Sequence, residues 1–296
     1  MPLTFKPAFV EHYSTLTDFT KYKEAVLSFA PKAIRVNTLK TTVNDVKGRL
    51  EEQGWALASV PWCDEGFYVK HTDGRRDVSN TSEHEQGLIF IQKSVSMLPA
   101  CALESKAGET VLDLCAAPGA KTTQMAAMMK NEGVLVANES TSARLKSLYA
   151  NLQRCSVLNT VVTQHSGDRF PDAMLFDKIL VDAPCSGTGL IKGMTQRSEE
   201  TLRTWNLNMV RRLAKLQKRI LRHAYSSLKP KGTLVYSTCS LEPDEDENVV
   251  EHLLEHSDAK LAAVDLPVKA EKKQWIKVWP QDQNTEGFFV AKFRKL

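Results

Sequence analysis

From residue 108 onward, short apolar runs alternate with amphipathic stretches, and this alternation most narrows the folds open to the chain. Thr110-Val-Leu-Asp-Leu114, Gly133-Val-Leu-Val-Ala137, Thr160-Val-Val-Thr163, Lys178-Ile-Leu-Val181 and Gly232-Thr-Leu-Val-Tyr-Ser237 read as strands. Lys121 to Lys130, a stretch through Arg144, Leu148 and Leu152, and a long segment near 206–228 read as helices. Continuous apolar runs imply strands buried on both faces. The pattern therefore predicts an α/β fold, a mostly parallel sheet with helices on both sides. Gly287-Phe-Phe-Val-Ala-Lys-Phe293 alternates and closes the chain, as an antiparallel edge strand would.

The first hundred residues differ. Ala33-Ile-Arg-Val-Asn-Thr38 and Gly66-Phe-Tyr-Val69 read as strands, Asn44 to Gln53 as a short helix, and Asp73 to Ser82 as a loop. A small α+β module over 1–95 and a larger α/β domain over 96–296 are expected. A chain of 296 residues, 42% hydrophobic and 25% charged, is an ordinary globular composition with a sizeable core. No apolar run approaches the ~20 residues of a membrane helix, and the amino terminus lacks a secretory layout. A cytoplasmic monomer without a membrane partner is the expectation. The six cysteines, at 63, 101, 115, 155, 185 and 239, show no C-x-x-C and no close Cys/His grouping. That argues against a structural zinc site, any other metal and a disulfide framework. Cys63, Cys101 and Cys155 read as small buried apolar side chains.

The carboxyl ends of the strands carry the chemistry, because open α/β sheets bind ligands at that edge. Thr110–Leu114 runs into Cys115-Ala116-Ala117-Pro118-Gly119-Ala120-Lys121, a small-residue turn opening a helix. Such a turn lets a nucleotide-like ligand approach the backbone and the helix amino terminus. It has neither G-x-G-x-x-G nor Walker-A spacing, which argues against a dinucleotide or ATP. Glu139, at the end of the next strand, suits both hydroxyls of a ribose. Turn and acid together point to S-adenosylmethionine; the competing reading is a packing turn and a surface glutamate.

Asp182-Ala-Pro-Cys185 and Ser237-Thr-Cys239-Ser follow the next two strands. Two thiols at one rim suit a reaction in which one attacks a substrate and the other helps undo the attack. Methylating carbon 5 of a pyrimidine has this need. That carbon becomes nucleophilic once a thiolate adds at carbon 6, and a base must later remove its proton. An acid such as Asp182, bridging to ring N3, would stabilise the adduct.

Asp113-Leu-Cys-Ala-Ala-Pro-Gly-Ala-Lys-Thr122, Asp182-Ala-Pro-Cys185 and Ser237-Thr-Cys-Ser240 together resemble the RNA (cytosine-5)-methyltransferases of the Nop2/Sun family. Ile34-Arg-Val-Asn-Thr-Leu-Lys40, Pro61-Trp-Cys-Asp-Glu-Gly-Phe67 and Phe90-Ile-Gln92 look most like its bacterial 16S ribosomal RNA methyltransferase F subgroup. The resemblance implies a Rossmann-like class I S-adenosylmethionine-dependent methyltransferase behind an RNA-recognition-like module. It implies Cys239 as nucleophile, Cys185 in product release, Asp182 at the base edge and the cofactor, and Lys121 between cofactor and catalytic centre. Cys115 to Lys121 and Glu139 would hold the cofactor. Its substrate would be 16S rRNA or the small ribosomal subunit; transfer RNA, or a non-catalytic RNA-binding or assembly role, are the alternatives weighed.

Three positions depart from the family pattern. Ser166 stands where the third cofactor acid is usual, so either Ser166 or a shifted Asp168 would meet the adenine. Lys93 replaces an acid, and Ile191 to Arg197 replaces a basic-Asp-Pro stretch. The ribosomal subgroup usually continues into an RNA-binding extension past the last strand, which leaves the choice of RNA open. Net charge is only +4, yet ten cations between Arg197 and Lys231 face only Glu199 and Glu200. With Leu213, Ile220, Ala224 and Leu228 as the buried stripe, the cations would lie outward as a phosphate-binding face or as an ordinary solvated one. Arg35 and Asn37 are weaker candidates for RNA contact. The acidic run Glu242 to Glu247 reads as a helix start. The target cytosine would be unpaired or flipped out.

Overall fold

The structure, a computed structural model, describes residues 3–268, 271–272 and 274–296. Two helices, α1 (Pro7–Leu16) and α2 (Phe19–Leu27), come first. An antiparallel four-stranded sheet follows, built from β1 (Lys32–Val36), β2 (Trp55–Val60), β3 (Cys63–His71) and β4 (Ile89–Ile91) in the order β2-β3-β1-β4. Between its strands lie α3 (Val43–Glu52), capped by Thr42 and burying Val46 and Leu50 one turn apart, and the short α4 (Ser82–Glu85). The linker helix α5 (Leu98–Leu103) leads on. The boundary expected at residue 95 falls between β4 and α5.

The strands expected beyond residue 108 all form: β5 (Thr110–Asp113), β6 (Val134–Asn138), β7 (Thr160–Thr163), β8 (Phe176–Asp182) and β9 (Leu228–Thr238). Helices α6 (Ala120–Met128), α7 (Ser142–Arg154), α8 (Gln196–Thr204), α9 (Leu207–Ser226) and α10 (Glu247–Glu255) pack around them. Then come β10 (Lys260–Ala262), β11 (Glu271–Lys272), β12 (Trp275–Val278), α11 (Pro280–Gln283) and β13 (Phe288–Arg294). The large sheet runs β11-β12-β13-β9-β8-β5-β6-β7, with β10 also on β13. Its five strands β9-β8-β5-β6-β7 are mutually parallel. This is the Rossmann-like, mostly parallel sheet that was expected.

The continuous apolar runs follow from burial on both faces. Val111, Leu180 and Val235 face the layer of α5 and α6, while Leu112, Ile179 and Tyr236 face Leu221, Ala224 and Val249 of α9 and α10. Two expectations are corrected. Strand β13 is antiparallel to β9 but not an edge, because β12 and β10 pair along its other side. Phe289, Val290, Ala291 and Phe293 are accordingly fully buried. The buried stripe of α9 runs through Val210, Ala214, Gln217, Leu221 and Tyr225 as well as Ile220 and Ala224. Leu213 is only half-buried and Leu228 already belongs to β9. Gln217 can face inward because Pro184 and Glu245 accept its amide protons.

Helices α1 and α2 pack away from the four-stranded sheet. Phe9, Tyr13 and Tyr22 join Trp205, Leu241 and Trp279 in one aromatic cluster beside α8 and α9. Strand β5 has β6 on one side and β8 on the other, so the strand order reverses there and leaves a crevice outside the carboxyl ends.

Candidate active site

Beyond β5 the chain turns through Cys115–Gly119 into α6. Gly119 has φ 102°, and a Cβ there would lie 3.1 Å from Leu148 Cδ1, so the turn needs glycine. Buried Asn138 fixes the turn from β6. Its amide donates to the carbonyls of Leu114 (3.0 Å) and His165 (2.9 Å), and its oxygen accepts from Thr163 Oγ1 and His165 N–H. Next to it, Glu139 is 2% exposed at the strand end. Its Oε1 accepts from Thr141 N–H at 3.0 Å. Its Oε2 has no aligned hydrogen-bond donor, although Arg144 Nη1 lies 3.1 Å away. A buried acceptor left open at a cleft wall fits the hydroxyls of a ribose.

The cleft holds about 680 Å³ and runs from this turn to both strand-end cysteines. Cys115, Ala117, Pro118, Ala120, Lys121, Glu139, Ser166 and Asp182 all line it. Ala116 and Gly119 do not: Ala116 N–H donates to the Asn138 carbonyl (2.8 Å), and Gly119 starts the helix. Ser166 lines the cleft, whereas Asp168 turns to Arg219 Nε at 2.9 Å and accepts from Ser166 Oγ. Behind the turn, buried Asp113 accepts from Thr122 Oγ1 (2.7 Å), and burial pushes its carboxyl up to about 7.

At the other end, Asp182 closes β8. Its Oδ2 accepts from Lys121 Nζ at 2.7 Å and its Oδ1 from Ser237 Oγ at 2.8 Å. Lys121 also donates to Ser96 Oγ at 2.9 Å. The switch point is thus bridged by an ion pair from α6 to β8. Cys185 Sγ and Cys239 Sγ lie 2.9 Å apart beyond it.

The two thiols are electrostatically unequal. Hydrogen bonding from Cys185 holds Cys239 below the ordinary thiol range; burial and Asp182 oppose this, while Arg197 and Lys121 assist it. Cys185 is pushed up, first by donating to Cys239 and then by burial. The environment therefore favours the thiolate on Cys239 and the thiol on Cys185.

Both cysteine loops converge on Glu245, which is fully buried. Its carboxylate accepts from Ser186 N–H (2.9 Å), Ser186 Oγ, Ser240 Oγ (2.6 Å) and Gln217 Nε2 (3.0 Å). Ser186 follows Cys185 and Ser240 follows Cys239, so one carboxylate sets both thiols. Gly189 N–H donates to the Cys239 carbonyl at 2.9 Å, and a Cβ on Gly189 would lie 2.3 Å from the Gly287 carbonyl oxygen. The acidic run has a second role besides starting a helix. The run does open α10, with Asp246 as its N-cap and Glu247 in its first turn, but Glu242, Glu245 and Asp246 are also buried acceptors. Glu242 accepts from His12, Tyr13 and Trp205. Lys93, which lines the cleft, pairs with Glu286 at 3.0 Å.

Sequence reasoning did not single out Ser96, Asn138, Ser186, Ser237, Ser240 or Glu245 as site residues. Four of them lie within three residues of a quoted motif residue, which was the available signal. Arg35 and Asn37 are buried and internally bonded, Arg35 to Gln92 and Thr123, and Asn37 to the carbonyls of Gly87 and Cys155.

A family model described as 16S rRNA methyltransferase RsmB/F matches residues 100–294. The chain belongs to the RsmB/F methyltransferase family. Residues 5–94 of this RsmB/F chain match a second model, the N-terminal domain of 16S rRNA methyltransferase RsmF. Ribosomal RNA small subunit methyltransferase F of Vibrio parahaemolyticus is 40% identical to it, covering 97% of this chain and 63% of its own length. The tRNA (cytosine(49)-C(5))-methyltransferase of Pyrococcus abyssi is 41% identical, covering 97% and 95%. A crystal structure of a methyltransferase homolog protein from Pyrococcus horikoshii superposes with TM-score 0.83 at 34% identity, covering 98% and 100%. The chain spans 57% to 63% of the length of three ribosomal F relatives that it matches. Among the described residues, no helix is long and apolar enough to cross a membrane.

Proposed function

We propose that this chain methylates carbon 5 of a cytosine in RNA, through a covalent bond from Cys239 to carbon 6 of the base. The observation that carries the reading is the thiol pair, 2.9 Å apart at the ends of adjacent parallel strands, opening into the cleft that Glu139 and Cys115 line. Cys115, Ala117, Pro118, Ala120, Glu139 and Ser166 would hold S-adenosylmethionine, with Ala116 and Gly119 shaping the turn. When bound, that group supplies an electrophilic sulfonium methyl.

The protein's own work is to make carbon 5 reactive. Cys239, kept as thiolate by Cys185, adds to carbon 6 and places the electron pair on carbon 5. Asp182 meets the ring edge, held in place by Lys121 and Ser237. After transfer, the carbon 5 proton passes to a base, the double bond reforms, and Cys239 leaves as thiolate. Cys185 assists that release. The segment over 1–95 is assigned to RNA recognition and 96–296 to transfer.

The favoured RNA is 16S rRNA, supported by both family models and the ribosomal relatives. Transfer RNA is the second reading, supported by the 41% identity to the P. abyssi tRNA enzyme. Trapping with 5-azacytidine-substituted RNA tests the chemistry. Wild type should form a covalent adduct, Cys239→Ala should form none, and Cys185→Ala should accumulate a stable adduct with ordinary RNA. An adduct in Cys239→Ala would overturn the nucleophile assignment. Bisulfite sequencing of RNA from cells with and without the gene decides between rRNA and tRNA.

A further inference from the structure

We propose that the groove between α9 and α10 is a docking track for the RNA backbone outside the catalytic cleft, a proposal that rests on the RNA reading above. The groove holds about 770 Å³, with Lys215, Lys218, Arg219 and Arg222 along one wall and His252 and His256 on the other. The four cations stand at i, i+3, i+4 and i+7, so one helix face carries them all. Unrelieved like charges at these spacings destabilise a helix. Arg219 is engaged by Asp168 at 2.9 Å. Among the described residues, no ion pair engages Lys215, Lys218 or Arg222. Of the nearby carboxylates, Asp258 accepts from Tyr225 Oη at 2.8 Å and Glu255 lies exposed at the end of α10.

The groove continues the cleft. Leu216 and Ile220 line the cleft, while Lys215 and Arg219, each one residue earlier, line the groove. Ser166 and Asp168 divide in the same way. From Lys215 to Arg222 the helix rises ~10 Å, the span of roughly three phosphates along one strand. A chain leaving the cleft over Leu216 therefore meets cations at phosphate spacing.

His252, Glu255 and His256 could also ligate a metal ion, as their ligand atoms lie within 4.8 Å of one another. The field opposes it. Burial, then His256, Lys218 and Arg222, hold His252 below its ordinary pKa against Glu255, and the like charge of Lys218 and Arg222 repels a dication. Polyanion binding is the use this potential favours.

The test is salt-dependent binding of an in vitro transcribed RNA stem–loop to the full chain, followed by fluorescence anisotropy. For Lys215→Gln/Arg222→Gln, the slope of log affinity against log salt should fall by about 1.5 and Kd should rise roughly tenfold at moderate salt. The charge-matched control Lys21→Gln/Lys23→Gln on α2 should keep the wild-type slope. Unchanged S-adenosylmethionine affinity by calorimetry would show that the variant is folded. A wild-type slope in the groove variant, or an equal fall in the control, overturns the groove. So does tight zinc binding that His256→Ala abolishes. If wild type neither binds RNA nor forms the azacytidine adduct, the proposed function fails rather than the groove alone.

Discussion

Cys185 and Cys239 are the same residue at equivalent strand ends, and their surroundings make them different reagents. The donor hydrogen bond favours the thiolate on the acceptor sulfur and disfavours it on the donor. Alkylation of Cys239 by iodoacetamide, followed by peptide mass spectrometry across pH, should have a midpoint below the ~8.5 of a free thiol. Cys185→Ala should move that midpoint upward, because the stabilising donor is gone and burial remains. Equal midpoints in the two proteins would dissolve the asymmetry. Asp113 gives a stability signature of opposite sign to an ordinary ion-paired carboxylate. Its folded pKa near 7 exceeds its ordinary 3.8, so between these values the folded state binds more protons than the unfolded. Its contribution to stability then falls as pH rises through that window. Asp113→Asn should flatten the wild-type decline in Tm between pH 4 and 7, and an unaltered decline would contradict the assignment.

At the scale of elements, the site is two strand-end loops joined by one carboxylate. Glu245→Ala would leave Ser186 N–H, both serine hydroxyls and the Gln217 amide without their shared acceptor. Removing one member of such a buried charged network costs about 3 kcal/mol. Urea unfolding should register that loss. Methylation should slow through kcat while S-adenosylmethionine affinity holds, because Glu245 does not line the cleft near Glu139. Gly189→Ala should act on the same loops, through its contact with Gly287. Loss of cofactor affinity in proportion to kcat would mean that the loops are not the separate unit described here.

The parallel strands were legible because burial on both faces leaves an unbroken apolar run. So were the strand-end motifs, since polar residues interrupt those runs where the sheet meets solvent. Strand β2 was not legible: its burial follows no period of two, with only Trp55 and Val60 inside. The interior place of β13 depended on β10 and β12, whose pairing is long-range. Glu245 looked like one more acid in an acidic run, because burial of a single carboxylate leaves no mark on composition. Ser166 and Asp168 could be told apart only by where Arg219 sits on a distant helix.

Across the whole molecule, the amino-terminal helices and the Cys239 loop are fastened at one residue. Glu242 lies three positions after Cys239 and is 1% exposed. Its carboxylate receives His12 Nε2 at 2.7 Å and Tyr13 Oη at 3.1 Å from α1, and Trp205 Nε1 at 2.8 Å from the α8–α9 link. The aromatic cluster around it holds Phe9, Tyr22 and Trp279 at stacking or edge distances. Glu242→Ala would strand the Tyr13 and Trp205 donors inside that cluster, at a cost of about 3–5 kcal/mol. Unlike Glu245→Ala, it should also loosen α1, since both His12 and Tyr13 of that helix bond to the Glu242 carboxylate. Hydrogen exchange should therefore rise across Pro7–Leu16 and across 239–242 together, with β1 to β4 unchanged. Protection lost in α1 alone would show that the helices and the Cys239 loop are not coupled through Glu242. A rise that spread into the four-stranded sheet would show that the helical pair and that sheet unfold as one.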